Sequence, residues 1–195
     1  MEEQNKKFVS LSIWVSIIAF AIRCLISRVE LVVDLSQNHY GSFIYNLYGY
    51  AGEAILLSGL FMWAYDKYLW KIRPFSWVAK TPILGKHYSG KYISSYKEMT
   101  GVAELFVSQT FLHISVRMKT GESTSRSFNS TIKEINDTIW LVYNYQNDQK
   151  ANLQDNSPIH YGTAIFDLCD GVENIQGTYF TGRQTKGDLI FKRLD

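Results

Sequence analysis

Hydrophobic and polar positions divide this chain into two stretches of different periodicity. Phe8 to Ile26 is an apolar run of about 19 residues carrying one charge, Arg23, close to the ~20 residues that span a hydrocarbon core. Phe43 to Trp63 is a second run, interrupted by Asn46 and Glu53 but still long enough to cross. Beyond Leu84 the apolar positions alternate with period two between turn residues, the pattern of strands. The alternation predicts eight strands, at about Lys86 to Ser95, Val102 to Ser108, Thr110 to Lys119, Ser123 to Glu134, Thr138 to Gln146, Tyr161 to Leu168, Asn174 to Gly182 and Asp188 to Arg193.

The expected architecture is a membrane-anchored all-β protein: two N-terminal transmembrane helices, then an antiparallel β-barrel of about eight strands. Its boundaries are read as an anchor over 1–72, a linker over 73–84 around Pro74 and Pro82, and a barrel over 85–195. A cleaved signal peptide is the rival reading of the first run, since Lys6 and Lys7 precede it; no small-residue cleavage site follows, and a second apolar run begins soon after. The connector from Ser27 to Ser42 reads as short and polar, so the helices form a hairpin with both ends on one side of the bilayer. Gly49, Gly52 and Gly59 offer surfaces for close helix packing, and Tyr45, Tyr48, Trp63, Tyr65, Tyr68 and Trp70 suit the interfaces. Arg23 can snorkel from its helix end. Glu53 lies deeper, where a lone carboxylate costs a few kcal/mol, so it is protonated, paired with Arg23, or turned toward another copy of the chain.

Tight turns at Thr120-Gly121, Asn136-Asp137, Asp170-Gly171 and Lys186-Gly187 join neighbouring strands, and a longer polar loop runs from Asn147 to Pro158. Closure of such a meander removes its edge strands and leaves an interior able to hold one small ligand. Ile139, Leu141, Tyr143 and Tyr145 share one face, as do Ala164, Phe166 and Leu168. Gly177, Tyr179, Thr181 and Arg183 share another, which turns an apolar barrel polar and cationic at one end. That profile suits a planar anionic ligand.

A net charge of +2 gives no nucleic-acid-binding surface, so no DNA or RNA partner is expected. Cys24 and Cys169 lie far apart in different modules, so neither a disulfide framework nor a metal cluster can be built from them. The histidines His39, His87, His113 and His160 form no H-E-x-x-H or Cys-His arrangement, and no nucleophile elbow, Walker loop or paired-carboxylate site appears. Ser123 to Ser127 is a polar strand face more than a phosphate cradle. No catalytic residue, metal or cofactor is therefore assigned, and the chain reads as a non-enzyme.

Several motifs recur in order behind the two helices: Pro82-x-Leu84, Tyr88-x-Gly90-x-Tyr92, Gln109-Thr110-Phe111 and Ser123-x-Ser125-x-Ser127, then Trp140-Leu141-x-Tyr143-x-Tyr145, His160-x-Gly162-Thr163-Ala164 and Gly177-x-Tyr179-x-Thr181-x-Arg183-x-Thr185-x-Gly187. In this order they resemble the two-transmembrane, β-strand-rich effectors associated with bacterial cyclic-oligonucleotide synthases in CBASS antiphage defence. Tyr88 stands where that family more often has tryptophan. The resemblance implies a cyclic dinucleotide ligand, activation on phage infection, residence in the bacterial inner membrane among its lipids, and killing by disruption of that membrane.

A cyclic dinucleotide offers two bases and two phosphates. Tyr92, Tyr143 and Tyr179 are the stacking candidates, at about 1 to 3 kcal/mol per base; Gln109, Thr110, Ser125 and Thr181 are the donor candidates, and Arg183 can fork onto a phosphate. Ligand binding would promote homo-oligomerisation through the anchor. Two other classes stay open: a tethered lipocalin-like barrel for an apolar small molecule, and a filled barrel acting only as an assembly module.

Lys6 and Lys7 flank the first helix and Lys67, Lys71 and Arg73 follow the second, whereas Arg28 in the connector is offset by Glu30 and Asp34. The positive-inside rule then puts both termini and the barrel in the cytoplasm. A reporter fused after Asp195 is expected to behave as cytoplasmic and one inserted near Gln37 as extracytoplasmic; exposure of Asp195 to external protease in intact cells would overturn this orientation.

Overall fold

The computed structural model describes residues 2–78, 81–96, 98–150 and 159–195. The chain divides into a helical unit, Glu2–Ala79, and a barrel unit, Lys80–Asp195. The expected linker is shared between them. Phe75–Val78 forms a short 3-10 helix in the first unit, whereas Pro82 to Gly85 leads into the barrel.

The helical unit contains α1 (Glu2–Ile26), α2 (Arg28–Ser36) and α3 (Tyr40–Lys67). Among the described residues one helix, Gln4–Ile26, is both long and apolar enough to cross a membrane; α3 has the length, but its tyrosines, glycines and Asn46 dilute its apolarity. Serine hydroxyls inside these helices are satisfied locally, Ser16 donating to Ser12 O at 2.9 Å and Ser58 to Ala54 O at 2.7 Å.

The expected polar connector is mostly helix. Only Gln37 to His39 turns the chain, because Glu30 and Asp34, one helical turn apart, accept hydrogen bonds from α3. Tyr50 donates to Glu30 at 3.0 Å, and Asn46 and Ser42 donate to Asp34 at 3.0 and 3.2 Å. One turn further along, Arg23 Nε pairs with Glu53 at 2.5 Å, lies 4.1 Å over the Tyr50 ring and also bonds Ser27. Of the three fates open to Glu53, the structure therefore takes the pair within its own hairpin. The glycines do not form the helix contact: the buried row of α3 is Tyr50, Ala54, Ser58 and Met62, while a β-carbon at Gly49, Gly52 or Gly59 would meet no atom within 4 Å.

The barrel unit is a closed antiparallel meander in sequence order: β1 (His87–Ser94), β2 (Thr100–Gln109), β3 (Ile114–Thr120), β4 (Ser123–Ile135), β5 (Thr138–Gln149), β6 (His160–Asp167), β7 (Asn174–Thr181) and β8 (Lys186–Arg193). The register between β1 and β8, from Tyr88↔Arg193 to Ser94↔Gly187, closes it. The inward sets are mostly apolar, including Leu105, Val116, Leu141, Phe166, Ile175 and Leu189, and β4 buries Ser125 and Ser130 instead. Asn136 and Asp137 both take positive φ, 51° and 62°, the two-residue turn that their types favour. The turn expected at Lys186-Gly187 lies earlier, over Gly182 to Thr185, with Thr181 N donating to Thr185 O at 2.9 Å; Gly187 is needed inside β8. Residues 151–158 of the expected long loop lie outside the described residues.

The weakest ladder joins β3 to β4, with register pairs only from Arg117↔Arg126 to Lys119↔Thr124. Beyond it β4 bulges between Ser127 and Asn129, and the Ser127 hydroxyl accepts the Val116 N–H at 2.8 Å. The bulge throws Phe128 outward, edge-on to Tyr161.

One end of the barrel is sealed. Gln109 clamps the incoming chain, accepting from Leu84 N at 2.9 Å and donating to Pro82 O at 3.0 Å. Leu84, Phe111 and Leu168 are buried at this end. The Asp195 carboxylate accepts the Lys86 and His87 N–H groups, and those bonds, Lys86 first, hold its pKa below the usual carboxylate value. Tyr88 ties the seal together: its hydroxyl accepts Gly85 N–H at 2.8 Å and donates to Val172 O at 2.9 Å. Tyr88→Phe would orphan both backbone groups and is expected to lower stability by about 1 to 3 kcal/mol, read by chemical denaturation of the solubilised chain; unchanged stability would show that the seal does not need this hydroxyl.

Candidate functional site

The opposite end is open. A cavity of about 230 Å³ is lined by residues from six strands' ends and three turns. Its floor is aromatic and held by a repeated device. Tyr92 lies opposite Gly101, Tyr145 opposite Gly162 and Tyr179 opposite Gly187, and each ring rests on the facing glycine so closely that a β-carbon there would come within 2.5 to 2.7 Å of it. Two deeper pairs, Phe191 over Gly90 and Phe166 over Gly177, repeat the arrangement below. Aromatic rings laid on cross-strand glycines fill the space a side chain would take and fix the ring rotamer.

Above the floor the lining turns polar: Ser94 from β1, Thr120 from β3, Ser123 from β4, Asn147 and Gln149 from β5, His160 from β6 and Thr181 from β7. Tyr96 and Met99 from the β1–β2 turn, Met118 from β3, Glu122 from the β3–β4 turn, and Arg183 and Thr185 from the β7–β8 turn complete it. The turn bearing Arg183 is pinned from within, Thr181 Oγ1 lying 2.7 Å from Thr185 Oγ1 and accepting Arg183 N–H at 3.2 Å. Burial raises the pKa of Tyr92, helped by the nearby Glu122 charge and Tyr179. Burial, with Tyr179 beside it, raises that of Tyr145 further. Both phenols therefore keep their protons and remain donors at neutral pH.

Four of the sequence-predicted contacts, Tyr92, Tyr179, Thr181 and Arg183, come together here. Tyr143 and Ser125 sit behind the lining. Tyr143 is 1% exposed, stacks with Phe166 at 6.2 Å one layer below Tyr145, and has its pKa driven far up by burial. Ser125 is level in register with Met118 and Asn147, but its hydroxyl is buried without a hydrogen bond among the described residues. Gln109 and Thr110 lie at the sealed end, Gln109 as the clamp described above and Thr110 with its hydroxyl accepting the His113 N–H at 3.0 Å. Thr110 is not a strand residue, because β2 ends at Gln109 and β3 begins at Ile114.

Sequence reasoning missed Tyr145, Asn147, Gln149 and His160. The signal was the inward parity of Ile139, Leu141, Tyr143 and Tyr145, which runs on by twos to Asn147 and Gln149; His160 continues Ala164 and Gly162 backward in the same way. Two grooves of about 740 and 730 Å³ lie on the outer wall, the first running from β5 across β6, β7 and β8 to β1 and the second over β7, β8 and β1. The first carries Asp167, Asp170 and Asp188, a lining that repels anions. Among the described residues no cluster of His, Cys, Asp and Glu could hold a metal ion.

An eight-stranded barrel sealed at one end, with an aromatic-floored polar cavity at the other and an apolar helix preceding it, defines a small-ligand receptor domain with an N-terminal membrane-type segment. Residues 79–193 match the family model described as Cap15, cyclic dinucleotide receptor domain. The chain is also similar to CD-NTase-associated protein 15 of Staphylococcus schleiferi, 31% identical over 132 residues, covering 67% of this chain and 71% of that one. The chain belongs to the Cap15 family of CBASS-associated proteins.

The ring-on-glycine geometry sets different costs at different glycines. At Gly187 a β-carbon would lie 2.0 Å from the Ile93 carbonyl oxygen, which belongs to the ladder and cannot yield; at Gly101 it would meet only the Tyr92 ring, at 2.6 Å. Gly187→Ala is expected to cost about 1 to 3 kcal/mol and Gly101→Ala less, because Tyr92 can swing into the cavity. Thermal and denaturant melts of the two variants check this, and an equal or reversed order would refute it.

Proposed function

We propose that this chain is a membrane-anchored effector whose barrel binds a cyclic dinucleotide in the rim cavity and so drives assembly of the anchor and disruption of the inner membrane. The observation that carries the proposal is the cavity itself: three fixed tyrosines beneath a ring of hydroxyl and amide groups, with Arg183 at the mouth, all within the residues matched to a cyclic dinucleotide receptor family. Bases stack on the tyrosines, about 1 to 3 kcal/mol each. The hydroxyl and amide ring bonds sugar and base edges, and Arg183 takes a phosphate. None of these roles is catalytic. The polar ring argues against an apolar ligand of the lipocalin kind, which would leave those groups desolvated and unpaired.

In this reading both α1 and α3 span the membrane, with the barrel and both termini cytoplasmic. The Arg23–Glu53 pair makes the pairing of the two helices self-sufficient, so Glu53 holds the hairpin together and does not bridge subunits. The open flank at Gly52 and Gly59 is the surface left for another hairpin. A ligand shifts assembly only by its differential affinity for the assembled state; a tenfold preference supplies about 1.4 kcal/mol per subunit.

Arg183→Ala is expected to weaken cyclic dinucleotide binding roughly 10- to 150-fold, the loss of one charge-assisted bond of about 1.5 to 3 kcal/mol, with the melting temperature unchanged. Calorimetry on the solubilised chain measures it. In cells, deletion of Met1 to Trp70 should retain binding and abolish nucleotide-dependent dye entry. Unchanged affinity in Arg183→Ala would remove Arg183 from the site, and killing by the truncated chain would remove the anchor from the mechanism.

A further inference from the structure

A cavity for a doubly anionic ligand would be expected to exclude carboxylates, yet Glu122 lines this one. Its place is built. Thr120 Oγ1 accepts both the Glu122 N–H, at 3.3 Å, and the Ser123 N–H, at 3.0 Å. On the other side the Glu122 carbonyl accepts Lys150 N–H at 3.0 Å. The backbone of the β3–β4 turn is thus fixed between two strands, while the Glu122 carboxylate makes no ion pair or hydrogen bond among the described residues. It lines the same cavity as Tyr92, and its charge opposes ionisation of that phenol.

We propose that Glu122 reads the Watson–Crick edge of a guanine, so that the cavity selects a cyclic dinucleotide carrying at least one guanine. This rests on the reading of the rim cavity as a cyclic dinucleotide site. The argument is one of matching donors. A carboxylate has two oxygens and only accepts; guanine alone of the common bases presents two adjacent donors, N1–H and the N2 amine, and no acceptor between them. Adenine and cytosine each offer a single amine beside a ring-nitrogen acceptor that would face the second oxygen. Uracil offers one N–H between two carbonyls that repel the carboxylate. A base stacked on Tyr92 would present its edge to the β3–β4 turn, while Arg183, on the β7–β8 turn, takes the phosphate and keeps that charge from Glu122.

The test is calorimetry of the full chain in detergent with cyclic di-GMP, cyclic GMP–AMP, cyclic di-AMP and cyclic di-UMP, repeated with Glu122→Gln and Glu122→Asp. The wild-type chain is expected to prefer the guanine-bearing ligands. Glu122→Gln should lose about 5- to 150-fold in affinity for them, the range of one bidentate base contact, without weakening the binding of the others. Glu122→Asp, with the charge withdrawn by one methylene, should fall between. A preference for a ligand without guanine, or an equal effect of Glu122→Gln on every ligand, would overturn the inference and leave the receptor reading intact. If none of the four binds in any phosphodiester linkage, the receptor reading fails and this inference with it.

Discussion

The barrel depends on aromatic rings seated on glycines. Five inward rings, Tyr92, Tyr145, Phe166, Tyr179 and Phe191, each face a glycine on the neighbouring strand. A small barrel has too little interior for a large residue at every inward position, and alternating ring with glycine fits the rings into that space. The same contacts hold three tyrosines rigid at the cavity floor, so closure of the fold and preorganisation of the site are one constraint. Binding then orders fewer side chains, which is where much affinity is otherwise lost.

In the helical unit the organising contact is the Arg23–Glu53 pair, continued by Glu30 and Asp34 along α2. Polar groups line the seam between the helices, and apolar side chains such as Val29, Val32, Ile44, Ile55 and Leu56 face outward. This inverts the pattern of a water-soluble hairpin and suits a segment solvated by lipid.

Much of this was legible in the sequence. Period-two alternation located all eight strands, and the shared face of Tyr179, Thr181 and Arg183 pointed to the end of the barrel where the cavity opens. What escaped was where polarity and long-range pairing decide. Asn147, Gln149 and His160 extend their strands past the apolar core, where alternation of apolar and polar residues fades because both faces are polar. Gln109 was open to reading as a ligand donor because its partners, Pro82 and Leu84, lie far away in sequence and only closure brings them together. The helical connector was obscured because Glu30 and Asp34 look like solvent-facing loop residues until Tyr50 and Asn46 are set against them. Glu122 carried no motif, being a turn residue whose neighbours come from other strands.

The division between floor and rim also bounds how such a receptor can evolve. A change to Tyr145 or Tyr179 must be matched at Gly162 or Gly187, so floor positions move in pairs or not at all. Glu122, Arg183 and Tyr96 sit on turns, outside the strand registers that couple each floor ring to a glycine, and can drift singly. Divergence in the signal recognised is therefore channelled into three short turns, while the surface beneath them stays common, much as a lock is rekeyed at its pins and not at its barrel.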